Sequence, residues 1–194
     1  MILILLRAYL LAGLIAHKVV WERLKRHQRS TVTRTAMADA PFGVRAAKLA
    51  KTVVLGAIVV QTIVPWPWLS IAADPRTLTI IGVAVYTLGL AVAIAGRVQL
   101  GGNWSDIEAA RVLEHQSVVR HGLYRFVRHP IYVGDLLLLT GLELALNSWL
   151  VLGVLVLTPV VLSRAVREEE MLKRSLAGYN EYCKTSKRFI PFVV

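Results

Sequence analysis

The run TLTIIGVAVYTLGLAVAIAG, residues 77–96, decides the fold, because it holds twenty consecutive residues without a charge. At 1.5 Å per residue such a helix is about 30 Å long, the thickness of a bilayer's hydrocarbon core, so it reads as a membrane span. Asp74-Pro75-Arg76 precedes it as a tight turn. Residues 52–73 before that turn are again uncharged, so the two segments are expected to form a helical hairpin. Further toward the N-terminus, residues 2–20 make a first span, with Arg7 close enough to its start to snorkel to the interface. On the other side, residues 130–146 carry Asp135 and Glu143, residues 147–163 carry no charge, and Asn147-Ser148 turns one into the other. Both helices of that second pair are short, about 17 residues each. The expectation is an all-α, polytopic integral membrane protein of about five transmembrane helices. It forms a single membrane-embedded domain over 1–194, with three spans in 1–96, and the second hairpin, a polar pocket and a tail in 97–194.

Composition supports this reading. Of 194 residues 56% are apolar and only 18% are charged, against about 25% charged in a soluble globular domain. That argues against disorder and against nucleic-acid binding, despite a net charge of +11. Cys183 is the single cysteine, which excludes an intramolecular disulfide and any multi-cysteine metal site. His17, His27, His115 and His121 show no metal-ligand spacing, so no metal is expected. The first segment lacks the basic start and small-residue cleavage site of a secretory signal and is read as retained. Nine basic residues lie in 18–51, five in 97–128 and seven in 164–188, together 21 of the 23. Cytoplasmic loops are enriched in Lys and Arg, so these segments are placed inside, the N-terminus outside and the C-terminus inside. Trp66, Trp68 and Trp149 then fall at outer ends, and Trp21 and Trp104 at inner ones, as aromatic belts do. The same basic loops suit anionic lipid headgroups.

Three polar groupings can carry chemistry. Arg128-His129-Pro130-Ile131-Tyr132 stands where a polar loop enters a span, with Pro130 at the first helical position, where its missing N–H costs nothing. Free N–H groups of that first turn favour negative charge, so a carboxylate or ribose hydroxyl could dock while His129 and Tyr132 reach around it. A basic interfacial residue and a tyrosine that merely anchor the span explain the same pattern. Glu168, Glu169 and Glu170 follow the last span, where Lys or Arg is the usual stop. One of them suits a cationic ligand, or Glu168 pairs with Arg164 one turn before it. Lys173 and Arg174 stand at helical pairing distance from these carboxylates, so span five is expected to continue into water over residues 164–182. Asp135 and Glu143 share a face of span four and should point into the bundle, Glu143 reaching water at the outer end and Asp135 lying nearer the polar site.

Leu100-Gly101-Gly102-Asn103-Trp104-Ser105, Gly122-Leu123-Tyr124 and Arg128-His129-Pro130-Ile131-Tyr132-Val133-Gly134 occur in this order. Arg164 with Glu168-Glu169, Tyr179, Tyr182 and Arg188-Phe189-Ile190-Pro191 follow in the tail. Over residues 97–194 the chain resembles the isoprenylcysteine carboxyl methyltransferase family, its prokaryotic members and the related phospholipid methyltransferases. The resemblance implies an S-adenosylmethionine-dependent methyltransferase acting on a lipidic acceptor at the cytoplasmic membrane face, with carboxyl methylation of an isoprenylcysteine-like substrate foremost and a phospholipid amine as the alternative. It implies cofactor contacts from Gln116, Ser117, Val118, Val119, Tyr124, His129, Pro130, Ile131, Tyr132 and Glu169, with Arg164 and Glu168 as catalytic residues. Gln116 stands where the family often has His, with His115 beside it, and Ser175-Leu176-Ala177-Gly178 replaces the family's Phe-Gly before the tail tyrosine. Asp135 matches no family motif. The expected partners are a lipidic or prenylated acceptor and membrane lipid, with no nucleic acid and no obligatory protein partner. Two other readings compete: an NADPH-dependent membrane reductase, which shares a Gly-x-Tyr and Arg-His-Pro-x-Tyr stretch, and a transporter or scaffold without enzymatic activity.

Overall fold

In the computed structural model, residues 1–29, 42–103 and 116–191 are described, and every regular element among them is helical. Trp104, Ser105 and His115 lie outside the described residues, as do parts of the first two basic loops. The helices are α1 (Ile2–Arg29), α2 (Phe42–Ile63), α3 (Arg76–Leu100), α4 (Pro130–Ala145), α5 (Val151–Ser175) and α6 (Tyr179–Thr185), with single 3-10 turns at Pro67–Leu69, Gly101–Asn103 and Gly122–Arg125. They divide into two compact units, Met1–Trp68 and Leu69–Val194.

The first unit holds α1 and α2. Arg7 of α1 reaches the end of α2. Its Nη1 donates to the carbonyls of Gln61 at 3.1 Å and Thr62 at 2.8 Å, at the C-terminal end of α2, where the last carbonyls have no helical partner and attract a cation. Thr62, fully buried, also donates back to the Ile58 carbonyl. Pro65 and Pro67 follow directly, and neither can continue the helix.

The second unit is built on an antiparallel pair, α3 and α4, whose backbones nearly touch. Gly82, Gly89 and Gly96 recur at seven-residue spacing on α3, and Gly134 and Gly141 do so on α4. A Cβ added at Gly82 would overlap the backbone of Ala145, at Gly141 that of Tyr86, at Gly89 that of Leu138 and at Gly134 that of Ala93, and one at Gly96 would come within 3.1 Å of Ile131. The register is therefore regular along the whole seam, and small residues are what let two membrane helices approach this closely. Tyr86, Ala93, Leu138, Leu142 and Ala145 fill the spaces between the glycines and are buried.

Helix α4 ends at Ala145. Asn147 adopts a positive φ of 54°, and its side chain bridges back to Ala72, donating to the carbonyl at 2.8 Å and accepting from the N–H at 3.1 Å. The expected turn at Asn147-Ser148 is thus present and is tied to the segment that leads into α3. Glu143 is buried, only 4% exposed, so it does not reach water. Helix α5 runs unbroken from Val151 through Pro159 to Ser175, and Lys173 and Arg174 pair with Glu170 at 3.9 and 3.8 Å on its exposed side. The expected continuous helix over 164–182 is interrupted, because Gly178 takes a left-handed φ of 78° and restarts the chain as α6.

Among the described residues two helices, Ile2–Arg26 and Arg76–Asn103, are long and apolar enough to cross a bilayer, which corrects the expectation of about five spans. Helix α4, at 16 residues, is about 24 Å long, short of the ~30 Å core. The apolar part of α5 is shorter still, its remainder being polar.

Candidate active site

The site forms where the end of α3, the start of α4, the polar half of α5 and the chain after α6 converge. Three contacts from α3 shape the loop before α4. Gly122 sits at a φ of 59° with no room for a Cβ beside Gln99, and the Gln99 side chain accepts from the Leu123 N–H at 2.8 Å. Arg97 is fully buried and donates to the Gly101 carbonyl at 2.9 Å. Asn103 accepts through Oδ1 from the N–H and hydroxyl of Ser117 at 2.7 and 3.1 Å, and through its carbonyl from Gln116 Nε2 at 3.0 Å.

Behind the loop, residues 126–129 pair with the tail. The Arg128 N–H donates to the Lys187 carbonyl at 2.8 Å, the His129 N–H to that of Arg188 at 3.2 Å, and the Lys187 N–H to that of Phe126 at 3.0 Å. Tyr182 on α6 donates to the Tyr124 carbonyl at 2.6 Å, and burial pushes its phenol up to about 12, so it stays a donor. Tyr179, Tyr182 and Leu172 form a small apolar cluster with Val118, Leu176 and Cys183 against it.

Successive residues on a helix diverge by about 100°, so the three glutamates of α5 face three environments. Glu170 faces solvent. Glu169, 1% exposed, is enclosed: Oε1 accepts from Arg128 Nε at 2.8 Å and from His129 Nε2 at 3.1 Å, and Oε2 from Arg188 Nη2 at 2.8 Å. Arg128 also donates through Nη1 to the Cys183 and Ser186 carbonyls. Burial alone would raise the Glu169 carboxyl, but hydrogen bonds from His129, Arg188 and Arg128 outweigh it and hold the group well below the ordinary carboxylate range. Glu168 is 20% exposed at its side chain, accepts from the Tyr132 hydroxyl at 2.9 Å through Oε2, and lies 3.8 Å from His129 Nδ1. Burial raises its carboxyl above the usual value, and the nearby His129 and Tyr132 oppose the rise only in part. The His129 ring is stacked on Tyr132 at 5.5 Å and faces Phe189 at 5.7 Å.

The structure therefore brings His129, Tyr132, Glu168 and Glu169 together, with Pro130 at the first position of α4. Arg164 is exposed one turn before Glu168 and lies within electrostatic reach of Tyr132, as does Asp135. Gln116 and Ser117 are held by Asn103, while Val118 packs on the α6 cluster and Val119 is buried. Tyr124 is buried beside Arg97. Arg128 and Arg188 enclose Glu169 without having been assigned any role from the sequence. Their signal was present as the ends of two motifs, but a pair of arginines 60 positions apart does not announce that both reach one carboxylate.

The profile of a family described as phospholipid methyltransferase matches residues 77–178, from the start of α3 to the break before α6. The chain belongs to the phospholipid methyltransferase family. No curated protein matches it by sequence. Among solved structures it is similar to the eukaryotic intramembrane Ras methyltransferase ICMT (isoprenylcysteine carboxyl methyltransferase), with a TM-score of 0.54 and 21% identity over 84% of this chain and 55% of that one. The chain thus spans about half the length of that structure, and the likeness is one of fold. The family match and the likeness of fold both agree with the resemblance that the motifs carry.

Proposed function

We propose that this family member transfers a methyl group from S-adenosylmethionine to the carboxylate of an isoprenylcysteine-like lipid at the cytoplasmic face of its membrane. The observation that carries the reading is the division of labour between two adjacent carboxylates. Glu169 is saturated by protein donors, whereas Glu168 is fixed through Oε2 and keeps Oε1 for a ligand. The donor set suits the cofactor. Glu168 takes an amino group, the N–H groups of Ile131 and Tyr132 in the first turn of α4 take a carboxylate, and His129, Tyr124 and the strand of chain at Gln116, Ser117, Val118 and Val119 border the remainder. Val118 and Val119 contribute through their backbone, since their side chains serve the core.

When bound, the cofactor supplies a methyl group on a positively charged sulfur. The task left to the protein is alignment and exclusion of water. Arg164 pairs with the acceptor carboxylate and holds one oxygen toward the methyl; that oxygen's electron pair forms the new bond as the carbon–sulfur bond breaks, and no proton is released. Val160 and Leu157, exposed at i−4 and i−7 from Arg164 on α5, offer an apolar track for the acceptor's tail on the same helix face. A phospholipid amine is the second reading, favoured by Glu168 itself, whose raised carboxyl suits the proton that an amine must lose on methylation.

The test is incubation of the purified protein with labelled methyl donor and total membrane lipid, with identification of what becomes labelled. A heat-stability gain with S-adenosylhomocysteine and none with NADPH is expected. Transfer should fail in Arg164→Ala and Glu168→Ala while both still fold; full turnover in both would remove the assigned roles.

A further inference from the structure

Arg188 lies beyond the residues that the family profile matches, yet it reaches the centre of the site. Glu169 divides its two oxygens: Oε1 serves His129 Nε2 and Arg128 Nε, and Oε2 serves Arg188 Nη2 at 2.8 Å, with Arg128 Nη2 more distant at 3.5 Å. An ionised carboxylate accepts and cannot donate, so the His129 Nε2 in contact with it carries the proton. The other ring nitrogen, Nδ1, then faces Glu168 Oε2, 3.8 Å away. The ring's orientation is thus set by whichever groups hold Glu169 in place. Arg128 alone could take both Glu169 oxygens side by side, the arrangement a guanidinium prefers. Arg188 makes the shorter bond to Oε2, which leaves Arg128 Nη2 at the longer distance from that oxygen. The same tail segment adds Phe189 against the His129 ring at 5.7 Å and the backbone bond from His129 N–H to the Arg188 carbonyl at 3.2 Å.

We infer that Arg188 is a positioning residue: by holding Glu169 Oε2 it keeps His129 in one tautomer and one orientation, with Nδ1 presented to Glu168 and the ligand side of the site. The inference rests on the proposed methyl transfer only for its kinetic consequence; the tautomer it predicts is a property of the protein itself.

The test therefore has two arms. In the first, histidine is labelled with nitrogen-15 in detergent-solubilised protein, and the His129 ring signals are assigned by their loss in His129→Gln. The wild-type ring should show the proton on Nε2. Arg188→Ala should shift or broaden that pattern, whereas Lys184→Ala, an exposed neighbour paired only with Glu181, should leave it unchanged. In the second arm, Arg188→Ala should lower kcat by about 10- to 100-fold, the effect typical of removing an outer partner that orients a histidine. Arg188→Lys, with one donor still able to reach Oε2, should recover part of it. Should Arg188→Ala fail to fold, Arg188→Leu in the first arm decides, since it fills the space while removing every donor to Oε2. An unchanged His129 signal in the Arg188 variants, or an Nδ1–H tautomer in the wild type, overturns the inference. A wild-type protein with the expected tautomer and no methyl transfer to any lipid overturns the proposed function instead.

Discussion

Because burial raises the Glu168 carboxyl while three donors hold Glu169 down, the same Glu→Gln change should act oppositely at the two positions. A carboxyl depressed in the folded state contributes stability above its unfolded value, near 4.5, and loses it as the pH falls through the folded value. Glu169→Gln should therefore lower stability at pH 7 by about 3 kcal/mol, leaving Arg128 buried beside a neutral partner, and the deficit should shrink as the pH is taken below 4.5. A carboxyl raised in the folded state has the opposite sign, its contribution being present below the unfolded value and lost as the pH rises through the folded one. Glu168→Gln imitates the protonated form and should be at least as stable as wild type at pH 7. Its cost should appear in cofactor affinity, weaker by about 10- to 100-fold for the loss of one charge-assisted hydrogen bond. Thermal unfolding in detergent between pH 2 and 8, with cofactor titration at neutral pH, reads both. Equal destabilisation of the two variants at neutral pH would refute the assignment.

At the scale of elements, the glycine seam makes a comparable prediction. Gly141→Leu places a side chain into the backbone of α3 and should destabilise the α3–α4 pair by about 1–3 kcal/mol or more, as overpacking does. Gly56→Ala in α2 meets nothing within 4 Å and should stabilise by about 0.5–1 kcal/mol, the usual difference between these residues inside a helix. Similar losses at both would show that the seam is looser than described. This seam also marks the limit of what was legible in the sequence. The uncharged run 77–96, the turn at Asn147-Ser148 and the helix start at Pro130 could be read because each is a local feature of charge, turn chemistry or missing N–H. The heptad glycines were equally visible as letters, but their meaning needs a partner helix at a given register, and spacing alone does not supply one. Span counting failed for a related reason. An uncharged window tests composition, whereas crossing also needs length, and α4 stops at Ala145 while α5 turns polar after Ser163. At the site, His129, Tyr132 and Glu168 were found through their motifs. Arg97 and Asn103 were missed as partners of Gly101 and Ser117, because each acts through a contact with a later loop.

Across the whole molecule, the remaining question is which face of the membrane the site occupies. Within the second unit, α3 runs from Arg76 to Leu100, about 37 Å at 1.5 Å per residue, with Asp74 at one end. The Gln99, Gly101 and Asn103 contacts to the site lie at the other. By the positive-inside rule the distribution of basic residues, 21 of 23 in three segments, gives the expectation that the site end is cytoplasmic. The proposed soluble donor, made inside the cell, would require the same. Cys183 is the single cysteine, so a Cys183→Ser background leaves a chain free of thiols into which one reporter at a time can be placed. Asp74→Cys should react with a membrane-impermeant thiol reagent applied to intact cells, and Lys184→Cys, exposed on α6 beside the site, should react only after the membrane is opened. The reverse pattern would put the site outside, and labelling of both from one side would mean that α3 does not cross. The reverse pattern alone would put the site out of reach of a cytoplasmic methyl donor.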